Sequence, residues 1–129
     1  MSGYTRKNLR EVENAAPRFQ MPSEMEARFA RTPVKGETLG LSLMTLAPNF
    51  RIPFGHKHER QEEVYVIVRG SGQIRVEDEI VEVAQWDAIR FDKDTMRAVE
   101  AGPDGIEYVA FGAGTDAQEV ETAADFWPD

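Results

Sequence analysis

The spacing of chain breakers narrows the possible folds more than any other feature of this sequence. From about residue 33 onward, glycine, proline or acidic pairs interrupt the chain every eight to twelve residues. The stretches between them alternate or run apolar instead of repeating at the helical period of about 3.6 residues. Such spacing predicts an all-β chain, with strands at residues 38–46, 63–68, 73–77, 80–83, 88–91, 97–100 and 106–111. Arg69-Gly70-Ser71-Gly72 and Gly102-Pro103-Asp104-Gly105 read as turns, because they offer residues that tolerate positive φ, and Glu77-Asp78-Glu79 reads as a tight hairpin. Strands joined by short turns pair antiparallel.

Three regions follow: an arm or edge strand over residues 1–35, a β-barrel over 36–114 and an acidic tail over 115–129. In the arm, residues 8–13 and 24–31 each suit a short helix or an edge strand, and Pro17, Pro22 and Pro33 separate them. Alternation of Glu26, Arg28 and Ala30 against Ala27, Phe29 and Arg31 favours a strand over 26–31. The last fourteen residues carry five acidic groups and end in Phe126-Trp127-Pro128. Aromatics so near a terminus dock on a barrel end or a neighbouring subunit, with a ligand-covering lid as the sharper alternative.

Charge excludes some partners. The net charge is −8, and Arg6, Lys7, Arg10, Arg18, Arg28 and Arg31 of the arm are interleaved with Glu11, Glu13, Glu24 and Glu26. Neither the whole chain nor the arm suits nucleic-acid binding, which draws its affinity from dense Lys and Arg. The longest aliphatic and aromatic run, Val64 to Val68, is far short of the roughly 20 residues that cross a bilayer. The first twenty residues lack an apolar targeting core, so the expectation is a cytoplasmic protein with no membrane partner. With no cysteine in the chain, any metal must be held by histidine and carboxylate.

Both histidines lie two residues apart, in Gly55-His56-Lys57-His58-Glu59-Arg60-Gln61-Glu62-Glu63-Val64-Tyr65. On an extended strand that separation puts both rings on one face. Glu63 opens the next strand; if that strand is the hairpin partner, its carboxylate meets both imidazoles. Two histidines and one carboxylate leave open positions on iron or another divalent metal. Tyr65 and Ile67 share the face of Glu63 and line the wall beside it, while Val64, Val66 and Val68 take the opposite face.

At His56-x-His58, Glu63 and Gly70 the sequence resembles the cupins, small antiparallel barrels of the jelly-roll type. The spacing from His56 to Gly70 matches the first cupin motif, although its leading glycine is missing. The resemblance implies a single jelly-roll barrel, a site inside it, metal ligands at His56, His58 and Glu63, and a homodimer formed through an edge strand of the arm. It also implies a fourth ligand, a histidine from a second motif. Here that motif falls on Trp86, Asp92, Asp94, Arg97 and Ala101, none of which matches, and Arg97 stands at the ligand position.

Arginine stays protonated and donates no lone pair. A unit positive charge about 4 Å from a dication is repelled by roughly 8 kcal/mol at an effective dielectric of about 20. Two arrangements are open to Arg97. It can swing toward an anionic ligand beside a three-ligand metal, or pair with Glu63 and supply the charge a metal would have supplied. The leading functional reading is a barrel that binds a small, anionic molecule through Arg97, Tyr65 and Ile67 around a degenerate metal site. Its rival is a metal-dependent enzyme of dioxygenase or isomerase type, with iron, manganese, nickel or zinc on His56, His58 and Glu63. A sensing domain without catalysis shares the chemistry of the first.

Overall fold

The computed structural model describes residues 3–113 and 120–128. Its strands are β1 (Met25–Phe29), β2 (Leu39–Leu46), β3 (Gly55–His58), β4 (Glu63–Val76), β5 (Glu79–Ala84), β6 (Ala88–Phe91), β7 (Arg97–Ala113) and β8 (Val120–Ala123). All pairings between them are antiparallel. The all-β expectation holds, and β2, β5 and β6 fall within a residue of their expected bounds. The hairpin at Glu77 and Asp78 joins β4 to β5 as expected, with Val76 opposite Glu79.

The two other expected turns are not turns. Residues 69–72 lie inside β4 and residues 102–105 inside β7, so that four expected strands merge into two long ones. These two strands pair with each other, and the ladder slips between Ile67 and Arg69 and again between Gly70 and Gly72. A Cβ on Gly70 would lie 2.1 Å from the Gly105 carbonyl oxygen, and one on Gly72 would lie 2.2 Å from that of Glu100. The glycines therefore permit close backbone approach at bulges, which bend a strand without reversing it.

The bend divides the sheet into two leaves that share β4 and β7. One leaf runs β1-β2-β7-β4-β6, using the first half of β4 and the second half of β7. The other runs β8-β3-β7-β4-β5, using the remaining halves. One core fills the space between them, with Leu46, Ile67 and Ile106 from the first leaf against Ile74, Val83 and Val99 from the second. Each such side chain contributes about 1.5–3 kcal/mol by leaving water.

The arm is built onto this barrel. Met25 and Ala27 of β1 belong to the core, and Val12, Ala15 and Ala16 ahead of it are buried. Residues 8–13 form neither of the expected elements in full: Leu9–Glu11 is a single 3-10 turn capped by the Asn8 side chain. Arg10 grips Glu107 of β7 with two hydrogen bonds of 2.5 and 2.7 Å. On the outer edge of β1, the N–H of Ala27 donates to Asn14 Oδ1 and its carbonyl accepts from Ala15, so the chain itself covers the middle of that edge.

Residues 114–119 and 129 of the expected tail lie outside the described residues. Beyond them, β8 pairs with all four residues of β3. The Phe126 ring lies against Gly55, within 2.7 Å of where a Cβ would stand, and under the guanidinium of Arg75. Trp127 Nε1 donates to the Ile52 carbonyl at 2.7 Å, with Arg51 4.2 Å from its ring. The terminal aromatics thus pack on the barrel of their own chain. Among the described residues no helix is long and apolar enough to cross a membrane.

Candidate functional site

Strand alternation delivers the side chains inward. On β4, Glu63, Tyr65 and Ile67 share a face, and Tyr65 and Ile67 are buried; Val64, Val66 and Val68 on the other face are only half-buried. The route by which Glu63 reaches the histidines differs from the expected hairpin. β3 does not ladder with β4; it pairs with β8 and, at His56 opposite Arg97, with β7. Residues 59–62 instead carry the chain from one leaf to the other, so Glu63 meets the histidines across the barrel interior.

The three groups do converge. One donor atom from each of His56, His58 and Glu63 lies within 4.8 Å of the others. His58 Nε2 stands 3.8 Å from Glu63 Oε1, and the two imidazoles meet edge to face with centroids 5.4 Å apart. The Tyr65 hydroxyl lies 3.5 Å from His56 Nε2. Tyr65 also packs against Phe91 and Tyr108, each with centroids at 4.7 Å, which fills the barrel behind the site.

Arg97, the first residue of β7, is 0% exposed. Its Nη2 donates to Glu63 Oε1, and its Nη1 donates to the Thr95 carbonyl at 3.0 Å. Its guanidinium carbon sits 4.8 Å from the Phe91 ring centroid and 5.8 Å from that of Tyr65. Of the two arrangements open to Arg97, pairing with Glu63 is the one observed.

The electrostatics follow from burial around one ion pair. Burial, then the Arg97 charge and His58, push the His56 imidazole down to about 3. For His58, burial outweighs the attraction of Glu63, and Arg97 adds to the lowering. Both rings are therefore neutral at pH 7. Burial, reinforced by the Glu63 carboxylate, raises the Tyr65 phenol, which stays protonated. Burial opposes the charge on Arg97, but Tyr65 and Glu63 more than offset it and hold the guanidinium protonated. Two buried polar atoms of the site, His58 Nδ1 and Arg97 Nε, have no hydrogen-bond partner among the described residues. Such orphans cost about 1–3 kcal/mol each, and they mark where a ligand or water belongs.

Neutral imidazoles and a carboxylate are the right donors for a divalent metal, and they are close enough together. The charge beside them is wrong. The Glu63 oxygen nearest His58 is the one that Arg97 grips, so a dication on these donors would share that carboxylate with a guanidinium whose like charge repels it. The three donors could hold a divalent metal with Arg97 turned away from Glu63.

Several residues of the site left little trace in the sequence. Gln61, beside exposed Glu59, Arg60 and Glu62, is 3% exposed and donates to the Ala113 carbonyl. Phe91 lies under Arg97. Isolated glycines in a strand signal close approach, and at Gly112, opposite Glu63, the Gln61 amide lies where a Cβ would stand. Trp86, which stands where the first glycine of the second motif would fall, takes up the left-handed turn itself, at φ 74°.

No family model matches the chain, and no curated protein matches its sequence. Solved structures do resemble it. The polyketide cyclase RemF from Streptomyces resistomycificus superposes with a TM-score of 0.75 at 20% identity, over 97% of this chain and 87% of that one. A cupin protein from Bacteroides fragilis gives 0.72 at 20% identity, over 91% and 89%. The Streptomyces nucleoside dehydratase Pac13 gives 0.71 at 13%, over 95% and 92%. At these identities the likeness is one of fold, and it agrees with the curled antiparallel sheet and with the His56 to Gly70 motif: the chain has the cupin fold.

Proposed function

We propose that this chain is a cytoplasmic, cupin-fold binder of a small organic molecule, held inside the barrel beside His56, His58, Glu63 and Arg97, with Arg97 taking over the positive charge of a metal. The observation that carries this reading is the pairing of the fully buried Arg97 with Glu63, whose side chain is 14% exposed, together with the unpartnered Arg97 Nε and His58 Nδ1. Arg97 Nε donates only, so the molecule must present an acceptor oxygen there; His58 Nδ1 accepts or donates according to its tautomer. Tyr65 and Ile67 form the wall behind. A carboxylate or phosphate suits this site by competing with Glu63 for the guanidinium. That RemF is a cyclase and Pac13 a dehydratase supports the idea that barrels of this shape handle small molecules. Homodimer formation is part of the proposal, with light scattering as its measure.

The closeness of the three donors, within 4.8 Å, favours a second reading. There the chain is a metal-dependent enzyme of dioxygenase or isomerase type, with iron, manganese, nickel or zinc on His56, His58 and Glu63, and Arg97 turned toward an anionic substrate. Elemental analysis of protein purified without chelator separates the two. The first reading expects far less than one equivalent of any of these metals; near one equivalent, lost in His58→Ala, would replace it with the second.

A further inference from the structure

The two leaves differ on their outer faces. On the first leaf, Met44, Tyr108, Ala110 and Tyr65 belong to the core or pack against it, so alternation turns their neighbours outward. The ladder sets these neighbours in two rows across β2, β7 and β4: Leu41, Phe111 and Val64, then Leu43, Val109 and Val66. All six are apolar and only Leu43 is buried; Phe111 is 42% exposed, and Leu39 at the end of the same face is 67% exposed. On the second leaf, Gln73, Arg75, Ile80, Glu82 and Glu100 point outward by the same alternation. That face is polar, and Phe126 of this chain lies on it under Arg75. A continuous apolar surface on three adjacent strands marks a place of association.

The N-terminal arm is rooted on the apolar face. Arg10 bonds Glu107, which points outward on β7 two residues before Val109, and Arg28 donates to the Val12 carbonyl. Ahead of this clamp, residues 3–8 are all exposed, with Tyr4 76% exposed. Stretched out, six residues reach about 20 Å, twice the roughly 10 Å between packed sheets. Residues 3–10 carry Arg6, Lys7 and Arg10 and no carboxylate, in a chain whose net charge is −8. A segment of this sign and length suits an acidic body seated on the face beside it. A second copy of the chain is such a body. A two-fold axis sets like against like, so neither copy brings a charge onto the six apolar residues. Pairing through the edge of β1, the route expected of the arm, is closed at its middle, where Ala27 already bonds Asn14 and Ala15.

Resting on the homodimer of the proposed function, we propose that two copies pack the outer faces of their first leaves together, through Leu41, Phe111, Val64, Val109 and Val66, and that each basic arm crosses onto its acidic partner with Tyr4 as the apolar anchor. Glu63 and Tyr65 alternate with Val64 and Val66 along β4. The interface therefore backs the wall of the site and leaves its interior free.

The test is light scattering and sedimentation equilibrium on the full chain at micromolar concentration. Wild type should be a dimer. Phe111→Glu and Leu41→Glu should each raise the dissociation constant at least a hundredfold, and Arg6→Glu combined with Lys7→Glu about tenfold. Ile80→Glu, which puts the same charge on the outer face of the other leaf, should leave it unchanged. Circular dichroism confirms that each variant is folded, and either face variant suffices if the other does not fold. If the folded face variants or the arm variant keep wild-type affinity, or Ile80→Glu dissociates the dimer as strongly, the inference is overturned and the homodimer stands. If wild type is a monomer, both fail.

Discussion

Taking away Glu63 leaves the Arg97 guanidinium buried against Phe91 and Tyr65 with no counter-charge, while taking away both partners leaves only a space to fill. Breaking one side of a buried pair costs about 3–5 kcal/mol, whereas apolar replacement of both is often close to neutral. Glu63→Ala should therefore lower the unfolding free energy by about that amount. Glu63→Leu combined with Arg97→Met should lower it less than Glu63→Ala does, as measured by chemical denaturation. His56 gives a second expectation. Its imidazole falls from an ordinary 6.5 to about 3 in the folded chain, so between those values the unfolded chain binds the extra proton. Stability from this residue is intact above pH 6.5 and declines as pH falls toward 3. The His56 ring resonances in NMR should stay flat down to about pH 4. Most of this site is legible in the sequence because His56, His58, Glu63, Tyr65 and Ile67 are placed by a local period of two. The partner of Arg97 is legible only as an alternative, since it lies 34 positions away. The Gln61 amide rests over Gly112 of another strand, which no local pattern ties to it.

Among the elements, β3 is the one that holds the histidines, and it leans on the C-terminal segment. It shares one ladder position with β7 but four with β8, and Phe126 closes against Gly55. Gly55→Val would drive a side chain into the Phe126 ring. That variant should loosen β3, raising its amide hydrogen exchange at least tenfold while β2 and the paired centre of β4 and β7 keep their protection. The arm is held differently, through Glu107. This carboxylate is 2% exposed, and the Arg10 hydrogen bonds, opposed by burial and helped by Thr45 and Arg69, hold it down at about 2. Its contribution is present above an ordinary value of 4.5 and is lost as pH falls toward 2. Because Arg10 and Arg69 are more than half exposed, solvent screening reduces the contribution to about 1–2 kcal/mol. Glu107→Gln should remove that part of the acid sensitivity in denaturation curves taken between pH 5 and 2. Strand identity was legible wherever apolar alternation was strong, as in β2 and β4. The glycine-rich stretches at 69–72 and 102–105 misled, because the same residues that allow a reversal also allow a bulge, and only the pairing of β4 with β7 decides between them.

At the scale of the molecule, the two bent strands fold one curled sheet into two leaves around a common core and bring residues from both to one site: Glu63 from the first leaf, His56 and His58 from the second, and Arg97 from the strand common to both. The chain lacks any third histidine, and the place a fourth ligand would take is filled by a charge that pairs with the third. In the proposed reading Arg97 occupies the electrostatic role of a metal. Titrating manganese or zinc into wild-type protein and into Arg97→His, side by side by calorimetry, tests it most directly. The wild-type chain should bind neither metal more tightly than about millimolar, and Arg97→His should bind one equivalent at least a hundredfold more tightly. Tight stoichiometric binding by the wild-type chain, unchanged or weakened in Arg97→His, would contradict it.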